Sequence, residues 1–272
     1  MKIVVYGLGI IGASVAASLK RAGHTVYGKN RSRESIVYAL EHGMIDAEVR
    51  DCLDADVVFL ALPPRVTMRE LDEGRFPDGC IVTDICGVKA PPERVVLSKP
   101  RAWKYVGVHP MAGKETSGIR SASADLFRGA NFVLTRNAQT DADAAETVRA
   151  LAREMGFSRI VECSAEEHDK MIALTSQLAH VTANAYVTSP LASDCKGFTG
   201  GSFQDMSRVA PVDEKMWAEL FCLNSEFLTA ELDRLTDRLA LFRDAVARTD
   251  EEEICALMRE GKARYQEFFQ GK

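Results

Sequence analysis

The sequence predicts an α/β protein with a mainly parallel, doubly wound sheet domain over residues 1–163 and an all-helical C-terminal domain over residues 164–272. Three observations support this fold class. Short, wholly apolar segments alternate with helical segments in the first half, which is typical of a parallel sheet covered on both faces. A strand, a glycine-rich turn and a helix follow one another at the N-terminus. The last third shows helical periodicity and no strand pattern.

The predicted strands are short β-branched or apolar runs that end at polar residues, glycine or proline. They lie at residues 2–6, 25–27, 57–62, 80–83, 105–108 and 132–134. A helix is predicted over residues 10–22, with Gly23 as its C′ residue. Because crossovers between parallel strands are right-handed, these segments favour a doubly wound arrangement.

The helical domain is predicted to begin at the capping box Ser164-Ala165-Glu166-Glu167, which opens a long helix running towards Pro190. A glycine-containing connection follows at residues 193–202. Residues 213–270 then carry apolar side chains at helical spacings of three, four and seven. A helical domain without a sheet often buries its apolar faces against a second copy, so we expect a homodimer. A self-contained bundle is the alternative.

Composition excludes several classes of protein. The chain has 272 residues, 46% apolar content and a net charge of -5, without a basic patch for nucleic acid. It contains no apolar run of the roughly 18–20 residues that a membrane helix needs, and its start does not resemble a signal peptide. Its seven cysteines include no CxxC pair, so no metal site is expected. We therefore expect a reduced, cytoplasmic protein.

The first turn carries a GxGxxG motif, which lies between a predicted strand and a predicted helix. The motif consists of Gly7, Leu8, Gly9, Ile10, Ile11 and Gly12. Its first glycine permits a tight turn, its second lets the backbone approach a pyrophosphate, and its third allows close packing of helix on strand. In this context the motif predicts a Rossmann domain that binds a dinucleotide. Leu62 and Pro63, which end the run that starts at residue 57, are further cofactor-binding candidates; the alternative is a glycine turn in an unrelated α/β domain.

The end of the second predicted strand favours NADP over NAD. NAD-binding members of this fold place an acidic residue there, about 20 residues after the glycine loop, on the ribose hydroxyls. Here the position is occupied by Asn30, which does not repel a 2′-phosphate. Arg31 and Ser32 can bind that phosphate, and Lys29 and Arg33 add positive charge. The alternative is a solvated basic turn in which Asn30 binds the ribose of NAD.

His109 is the candidate general base. It follows the predicted strand 105–108, and ligands of open α/β sheets bind beyond the carboxyl ends of the strands. An imidazole with an ordinary pKa near 6.5 suits removal of a proton from an alcohol during hydride transfer. From position alone, a structural role for this histidine is the alternative.

Four segments resemble the prephenate/arogenate dehydrogenase family of tyrosine biosynthesis. Val108 to Gly113, with Ser117-Gly118 after it, is similar to the HPMAG signature of that family. The other three are Thr83-Asp84-Ile85-Cys86-Gly87-Val88-Lys89, Ser176-Gln177-Leu178-Ala179-His180, and Asp205-Met206-Ser207-Arg208-Val209-Ala210 followed by Asp213 and Met216-Trp217. The resemblance extends from the first residues to about Asn224, in the family's order.

The resemblance implies oxidative decarboxylation of prephenate or arogenate, with hydride transferred to NAD(P). His109 would accept the hydroxyl proton, and Arg208 would hold a substrate carboxylate, oriented by Asp205. His180 would reach the substrate side chain or serve as a packing residue. Gln177 and Ser117 complete the substrate-binding candidates. On the same long helix, Asp169 is expected to share a face with His180, and His168 is expected at the surface.

One departure from the family pattern concerns the base itself. The serine that supports the catalytic histidine in the family is matched by Gly87, so Lys89, Ser117 or a water would have to replace it. Two other functions stay open on the sequence. One is a reductase of the β-hydroxyacid or pyrroline-carboxylate class, although Lys170 sits too early in its helix to be the catalytic lysine of the former. The other is a dinucleotide sensor without activity.

Overall fold

The computed structural model describes residues 1–52, 54–113, 116 and 118–270. The chain divides into two compact units, Met1–Ser225 and Glu226–Lys272. The first unit contains both β-sheets, and the second is helical. The boundary that the sequence predicts near residue 163 falls inside the first unit.

The main sheet is parallel throughout. Its strands are β1 (Lys2–Tyr6), β2 (Thr25–Lys29), β3 (Ala47–Glu48), β4 (Val57–Leu60), β5 (Ile81–Asp84) and β6 (Lys104–Tyr105). In the described residues these six strands lie in the order β3–β2–β1–β4–β5–β6, with every neighbouring pair parallel. This is the doubly wound order with its switch point between β1 and β4, so the predicted fold class is confirmed.

Helices cover both faces of this sheet. They are α1 (Ile10–Arg21), α2 (Arg33–Glu41), α3 (Pro64–Glu73) and α4 (Ala90–Leu97). Successive strand residues enter different apolar clusters: Val57 and Phe59 belong to one, and Val58 and Leu60 to the other. All four are at most 1% exposed. Burial of each such side chain contributes about 1.5–3 kcal/mol, which explains why the strands are uniformly apolar.

A second, smaller sheet differs from the prediction. It contains β7 (Gly107–Met111), β8 (Asn131–Thr135) and β9 (Arg159–Cys163), with α5 (Ala142–Glu154) between the last two. β7 is antiparallel to β8, and β8 is parallel to β9. The run predicted as one strand at residues 105–108 is therefore shared: Tyr105 ends the main sheet, and Gly107 begins the second. The apolar pattern continues across this break because both sheets bury the segment.

Helices joined by loops follow β9 in the first unit. They include α6 (Ala165–Ile172), a π-helical turn (Ala173–Gln177), α7 (Leu178–Val187), α8 (Gly201–Ser207) and α9 (Glu214–Leu223). The hydroxyl of Ser164 accepts a hydrogen bond from the backbone N–H of Glu167 at 3.1 Å, as the capping box predicts. The π turn lies within the long helix that the sequence predicts.

The second unit contains α11 (Glu251–Gln270) and nearly all of α10 (Ser225–Ala247). Arg238 of α10 forms an ion pair with Glu260 of α11 at 2.6 Å. The short turn between the two helices includes Thr249, whose φ of 53° is left-handed. No described helix combines the length and the apolar character that crossing a membrane requires.

Candidate active site

Two glycines of the β1–α1 loop occupy positions that no other residue fits. Gly7 has a φ of +101°, and a Cβ there would lie 2.1 Å from the carbonyl oxygen of Ala61. At Gly12 a Cβ would lie 1.9 Å from the carbonyl oxygen of Gly7. The tight turn and the close approach of α1 to β1 therefore depend on these two residues.

The third glycine opens the N-terminus of α1 to a ligand. Apart from its chain neighbours, no described heavy atom lies within 4 Å of the Cβ position of Gly9. Gly9 is the N-cap and has no side chain, and the first turn of the helix contains no acidic residue. The N–H groups of the first turn, including those of Ile10 and Ile11, have no acceptor within the helix. This arrangement fits the pyrophosphate of a dinucleotide, because it supplies donors and the positive end of the helix dipole.

The end of β2 is tied to the glycine loop by Asn30. Its amide oxygen accepts a hydrogen bond from the N–H of Leu8 at 3.0 Å, and its amide nitrogen donates to the carbonyl of Ser32 at 3.2 Å. Arg31 is exposed, with no ion pair to another described residue. The hydroxyl of Ser32 caps α2 by accepting from the N–H of Ser35.

Two of the basic residues that the sequence places near this site are engaged elsewhere. The ammonium of Lys29 lies over the ring of Tyr6, 4.1 Å from its centroid. Arg33 forms an ion pair with Glu48. Arg31 is therefore the cation best able to meet a phosphate at the end of β2.

Leu62 and Pro63 lie at the carboxyl end of β4, next to the glycine loop. A Cβ at Gly7 would be 3.1 Å from the side chain of Leu62. The carbonyl of Leu62 accepts a hydrogen bond from the hydroxyl of Thr67, and Pro63 is the exposed N-cap of α3. Both residues are thus at the edge where the fold binds dinucleotides.

His109 lies in the middle of β7 rather than at the end of a strand of the main sheet, and it pairs with Val133 of β8. Its ring is partly exposed. The Nδ1 atom is 2.9 Å from Nε2 of His168. Within the described part of the chain, no hydrogen bond reaches its Nε2 atom, so that nitrogen is the one available to a substrate.

His168 is buried, which corrects the expectation that it is a surface residue. It is 2% exposed, and its Nδ1 is 2.7 Å from a carboxylate oxygen of Asp169. Asp169 in turn accepts hydrogen bonds from the backbone N–H groups of Lys89 at 2.6 Å and of Ala90 at 2.9 Å. These are donors at the N-terminus of α4, a position that favours a carboxylate.

A buried ion pair between Lys89 and Asp84 lies next to this series of hydrogen bonds, and both side chains are 0% exposed. The ammonium of Lys89 donates to the Asp84 carboxylate at 2.5 Å and to the carbonyl of Val108 at 2.6 Å. The hydroxyl of Tyr105 donates to the other carboxylate oxygen of Asp84 at 2.6 Å. Lys89 therefore supports the strand that carries His109. Its ammonium does not hydrogen-bond to the His109 ring in place of the family serine that is matched here by Gly87.

Desolvation lowers the pKa of both histidines, of which His168 is buried and His109 is partly exposed. The pKa of His109 is well below its ordinary value because of desolvation first, and then because of His168 and the Lys89 ammonium. Desolvation also lowers the pKa of His168, although Asp169 opposes that change. His109 is therefore uncharged at neutral pH, which is the state that a general base requires.

A second group of residues surrounds His180 on α7. Its Nδ1 is 2.8 Å from the carbonyl oxygen of Val209, and its ring centroid is 3.8 Å from that of Trp217 on α9. Desolvation and then the charge of nearby Arg208 lower the pKa of His180, while the bond to Val209 raises it. Arg208 is exposed at the end of α8 and is next in the sequence to Val209, whose carbonyl oxygen His180 contacts.

The residues expected to act together with His180 and Arg208 are only partly brought together. Asp169 does not share the surroundings of His180, because the π turn between them shifts the helical register and Asp169 bonds to His168. Among the described residues, no hydrogen bond or ion pair joins Asp205 to Arg208, so the orienting contact is not formed here. Ser117 lies outside the described residues.

Gln177 and Gly87 both lie against α9. The Gln177 amide is buried, with its oxygen bonded to Asn224 at 2.8 Å, so its assignment to substrate binding stays a prediction. A Cβ at Gly87 would lie 3.4 Å from the side chain of Leu220 and 3.9 Å from Cε1 of His109. The α9 helix therefore adjoins both the His109 group and, through Trp217, the His180 group.

The hydrogen-bonded pair His168–Asp169 and the packing of Trp217 on His180 were not predicted from the sequence. A usable signal exists for His168 and Asp169. Ala165, His168, Asp169 and Ile172 recur at the spacing of one helical face, and all four are buried. The apolar residues at the ends of this set mark the face as the packed one.

Comparison with known proteins identifies the family of the chain. The nucleotide-binding domain model of prephenate dehydrogenase matches residues 15–161, and the model of the prephenate dehydrogenase dimerization domain matches residues 164–260. A cyclohexadienyl dehydrogenase from Zymomonas mobilis is 30% identical over 278 aligned positions, which cover 96% of this chain and 94% of that protein.

Solved structures give the same result. Prephenate dehydrogenase from Aquifex aeolicus, in complex with hydroxyphenyl propionate and NAD+, has a TM-score of 0.85 and 26% identity, with 98% of each chain covered. Arogenate dehydrogenase from Synechocystis has a TM-score of 0.82 and 26% identity, with 98% of this chain and 100% of that chain covered. With its glycine loop and its buried His109 network, this chain belongs to the prephenate dehydrogenase family and is an oxidoreductase.

Proposed function

We propose that the protein catalyses the oxidative decarboxylation of prephenate or arogenate in L-tyrosine biosynthesis, with NAD(P) as the hydride acceptor. The products are 4-hydroxyphenylpyruvate or tyrosine. Residues 1–163 bind the dinucleotide, and residues 164–272 complete the substrate site. The observation that carries this proposal is the geometry of His109, whose Nδ1 is 2.9 Å from Nε2 of His168 while no described residue hydrogen-bonds to its Nε2.

His109 removes the proton of the ring hydroxyl as hydride leaves the same carbon. The bound cofactor supplies the hydride acceptor. The resulting ring ketone permits loss of the ring carboxylate, and the gain of aromaticity makes the reaction irreversible. His109 starts uncharged because desolvation disfavours its cationic form.

Arg208 holds a substrate carboxylate through its guanidinium, which can form two parallel hydrogen bonds. Arg208 precedes Val209, whose carbonyl oxygen is 2.8 Å from Nδ1 of His180, and this contact supports one ligand site for Arg208 and His180. His180 contacts the substrate side chain, and Asp205, Gln177 and Ser117 remain candidates for the surrounding wall.

A steady-state comparison of prephenate and arogenate tests the function. Wild type should oxidise at least one of them with release of CO₂, and His109→Asn should lower kcat by roughly 10²–10⁴ with little change in cofactor affinity. The matched control is His42→Asn, an exposed histidine stacked on Tyr38 of α2. If neither substrate turned over, or if His109→Asn kept the wild-type kcat, the proposal would fail.

The cofactor is proposed to be NADP rather than NAD. The support is a neutral Asn30 at the end of β2 and an exposed Arg31 without an ion pair to another described residue. One cation at about 4 Å contributes on the order of 1 kcal/mol in water and up to about 4 kcal/mol at a partly shielded surface. A preference of roughly ten- to a few hundred-fold follows, and it should decrease with added salt.

The test measures kcat/KM with both cofactors in wild type, Asn30→Asp and Arg31→Ala. Arg31→Ala should lose activity with NADP only, and Asn30→Asp should shift the preference towards NAD. Arg33→Ala is the matched control, because Arg33 is paired with Glu48. Better use of NAD by the wild-type enzyme would contradict the proposal.

The protein is also proposed to form a homodimer through its helical segment. The matching family model is that of a dimerization domain, and the helices of the second unit carry large apolar side chains that are more than half exposed. They include Leu239, Met258, Tyr265 and Phe268. Sedimentation velocity should give about twice the 29.9 kDa chain mass, and Met258→Glu should shift the species towards monomer. A monomer at micromolar concentration would exclude this assembly.

The competing functions have little support in the geometry. Lys170 is exposed while its neighbours His168 and Asp169 are buried, so it does not occupy the place of a catalytic lysine in this site. A non-enzymatic sensor would have no need for a buried network directed at His109. The prephenate and arogenate assay separates both alternatives from the proposed activity.

A further inference from the structure

We propose that His168, held by Asp169, is the positioning residue that fixes the tautomer of His109 and stabilises the cation formed on it. This inference rests on the proposed function of His109 as the base. It assigns to a histidine of the helical segment a role in the proton chemistry of the sheet domain.

His109, His168 and Asp169 form a series of hydrogen bonds. When both histidines are uncharged and Asp169 is ionised, the protons of this series can be arranged in one way. Asp169 is an acceptor, because two backbone N–H groups of the α4 N-terminus already donate to its carboxylate. His168 Nδ1, at 2.7 Å from that carboxylate, therefore carries a proton. Neutral His168 then presents the lone pair of Nε2 to His109 at 2.9 Å.

The proton between the two histidines must consequently lie on Nδ1 of His109. The Nε2 atom of His109 is left with its lone pair, which is the state needed to accept a proton from the substrate. When Nε2 is protonated, the Nδ1–H bond to His168 lies next to a growing positive charge and becomes charge-assisted. The Asp169 carboxylate, two hydrogen bonds away, favours that charge.

The other charged groups around His109 do not replace this effect. The ammonium of Lys89 disfavours a positive charge on His109. The charge of Asp84 is compensated by its ion pair with Lys89, and its other carboxylate oxygen accepts a hydrogen bond from the hydroxyl of Tyr105. Gly87, whose Cβ position is 3.9 Å from Cε1 of His109, offers no hydroxyl. Among the described residues, His168 is therefore the side chain that hydrogen-bonds to the His109 ring, and Asp169 holds His168 in place.

The same geometry supplies a rescue variant. A Cβ at Gly87 would meet Leu220 at 3.4 and 3.6 Å, which is ordinary contact, and Gly87 does not have a left-handed φ. Gly87→Ser can thus place a hydroxyl beside the His109 ring without displacing backbone. A serine hydroxyl can accept from Nδ1–H, so it can take over part of the role of His168.

The experiment joins kinetics to ¹⁵N NMR of the five histidines in uniformly ¹⁵N-histidine-labelled protein. In the free wild-type enzyme, His109 should show a protonated Nδ1 and an unprotonated Nε2 above its pKa. His168→Ala should shift that ring towards the Nε2–H tautomer and lower kcat by about 10- to 100-fold. This is less than the roughly 10⁴-fold cost of neutralising the carboxylate of a catalytic triad, because a free imidazole still samples the required tautomer. Gly87→Ser should recover at least about threefold of that kcat in the His168→Ala background.

Ser164→Ala is the structural control, because it removes the N-cap of the same helix without touching His109. It should lower Tm and leave kcat within about twofold of wild type. The proposal is overturned if wild-type His109 carries its proton on Nε2, if His168→Ala leaves the tautomer unchanged, or if Gly87→Ser gives no recovery. The wild-type NMR measurement needs neither substrate nor a foldable variant, so its outcome is independent of whether prephenate is the substrate.

Discussion

Replacing Lys89 with methionine should cost the protein a large part of its stability. The change keeps the length of the side chain but removes an ammonium that is 0% exposed and bonded to Asp84 and to the carbonyl of Val108. Asp84 would remain buried with the Tyr105 hydroxyl and one backbone N–H, but without its counter-ion. Breaking a buried pair from one side typically costs about 3–5 kcal/mol, because an uncompensated charge stays behind.

For a unit of this size, 1 kcal/mol corresponds to a Tm change of roughly 2–4 °C, so Lys89→Met should lower Tm by about 6–20 °C. Urea unfolding followed by circular dichroism gives the free energy directly. The exposed pair of Lys2 and Asp54 provides the control, and Lys2→Met should leave Tm almost unchanged. In a double-mutant cycle, Lys89→Met combined with Asp84→Leu should cost less than the sum of the two single changes. A loss below about 1 kcal/mol for Lys89→Met, or strict additivity in the cycle, would refute the reasoning.

Three further predictions follow from the site. Arg208→Ala should raise KM for the substrate by roughly 10- to 150-fold, the equivalent of about 1.5–3 kcal/mol for a charge-assisted bond, and a change confined to the KM of the cofactor would exclude the assignment. Gly7→Ala should abolish measurable cofactor binding in calorimetry, because its Cβ would lie 2.1 Å from the carbonyl oxygen of Ala61; normal binding would show that the loop can rearrange. Because the pKa of folded His109 and His168 is lowered, the unfolded chain binds more protons below about pH 6.5. The free energy of unfolding should therefore fall as the pH decreases through that value, by up to about 1.4 kcal/mol per pH unit for each histidine, and His109→Asn should reduce the slope; an unchanged slope would argue against burial as the cause.

The features that the sequence predicted are those set by local patterns. The glycine spacing identified the β1–α1 turn, and uniform apolarity identified the strands, because each signal lies within a few neighbouring residues. The division between the two sheets was not visible, since Tyr105 and Val108 belong to one continuous apolar run. Whether a strand is parallel or antiparallel depends on the strand with which it pairs. His109 of β7 pairs with Val133 of β8, which is too distant in the sequence for a local pattern to show.

The candidate site was predicted in part for the same reason. His109 was identified from its surrounding motif. His168 is surrounded in the sequence by the charged residues Glu166, Glu167 and Lys170, a pattern that indicates a solvent-exposed turn of helix. The expectation that Asp169 shares a helix face with His180 assumed 3.6 residues per turn throughout the helix. The π turn at Ala173–Gln177 makes that assumption wrong, and no residue type in the turn indicates the change in helical periodicity.

The cap that Asp169 places on α4 has a consequence for protein engineering. The two segments matched by the family models meet between residues 161 and 164, so a chimera of two relatives would naturally be joined there. Such a chimera would keep the base of one parent and receive the residues at positions 168 and 169 from the other. The imported helix would then influence the proton affinity of a histidine that it does not contain, as well as the shape of the substrate pocket. Exchange of the C-terminal segment therefore also changes the acid–base properties of the site. The pH–rate profile of a chimera should resemble that of the parent that supplies its helical segment.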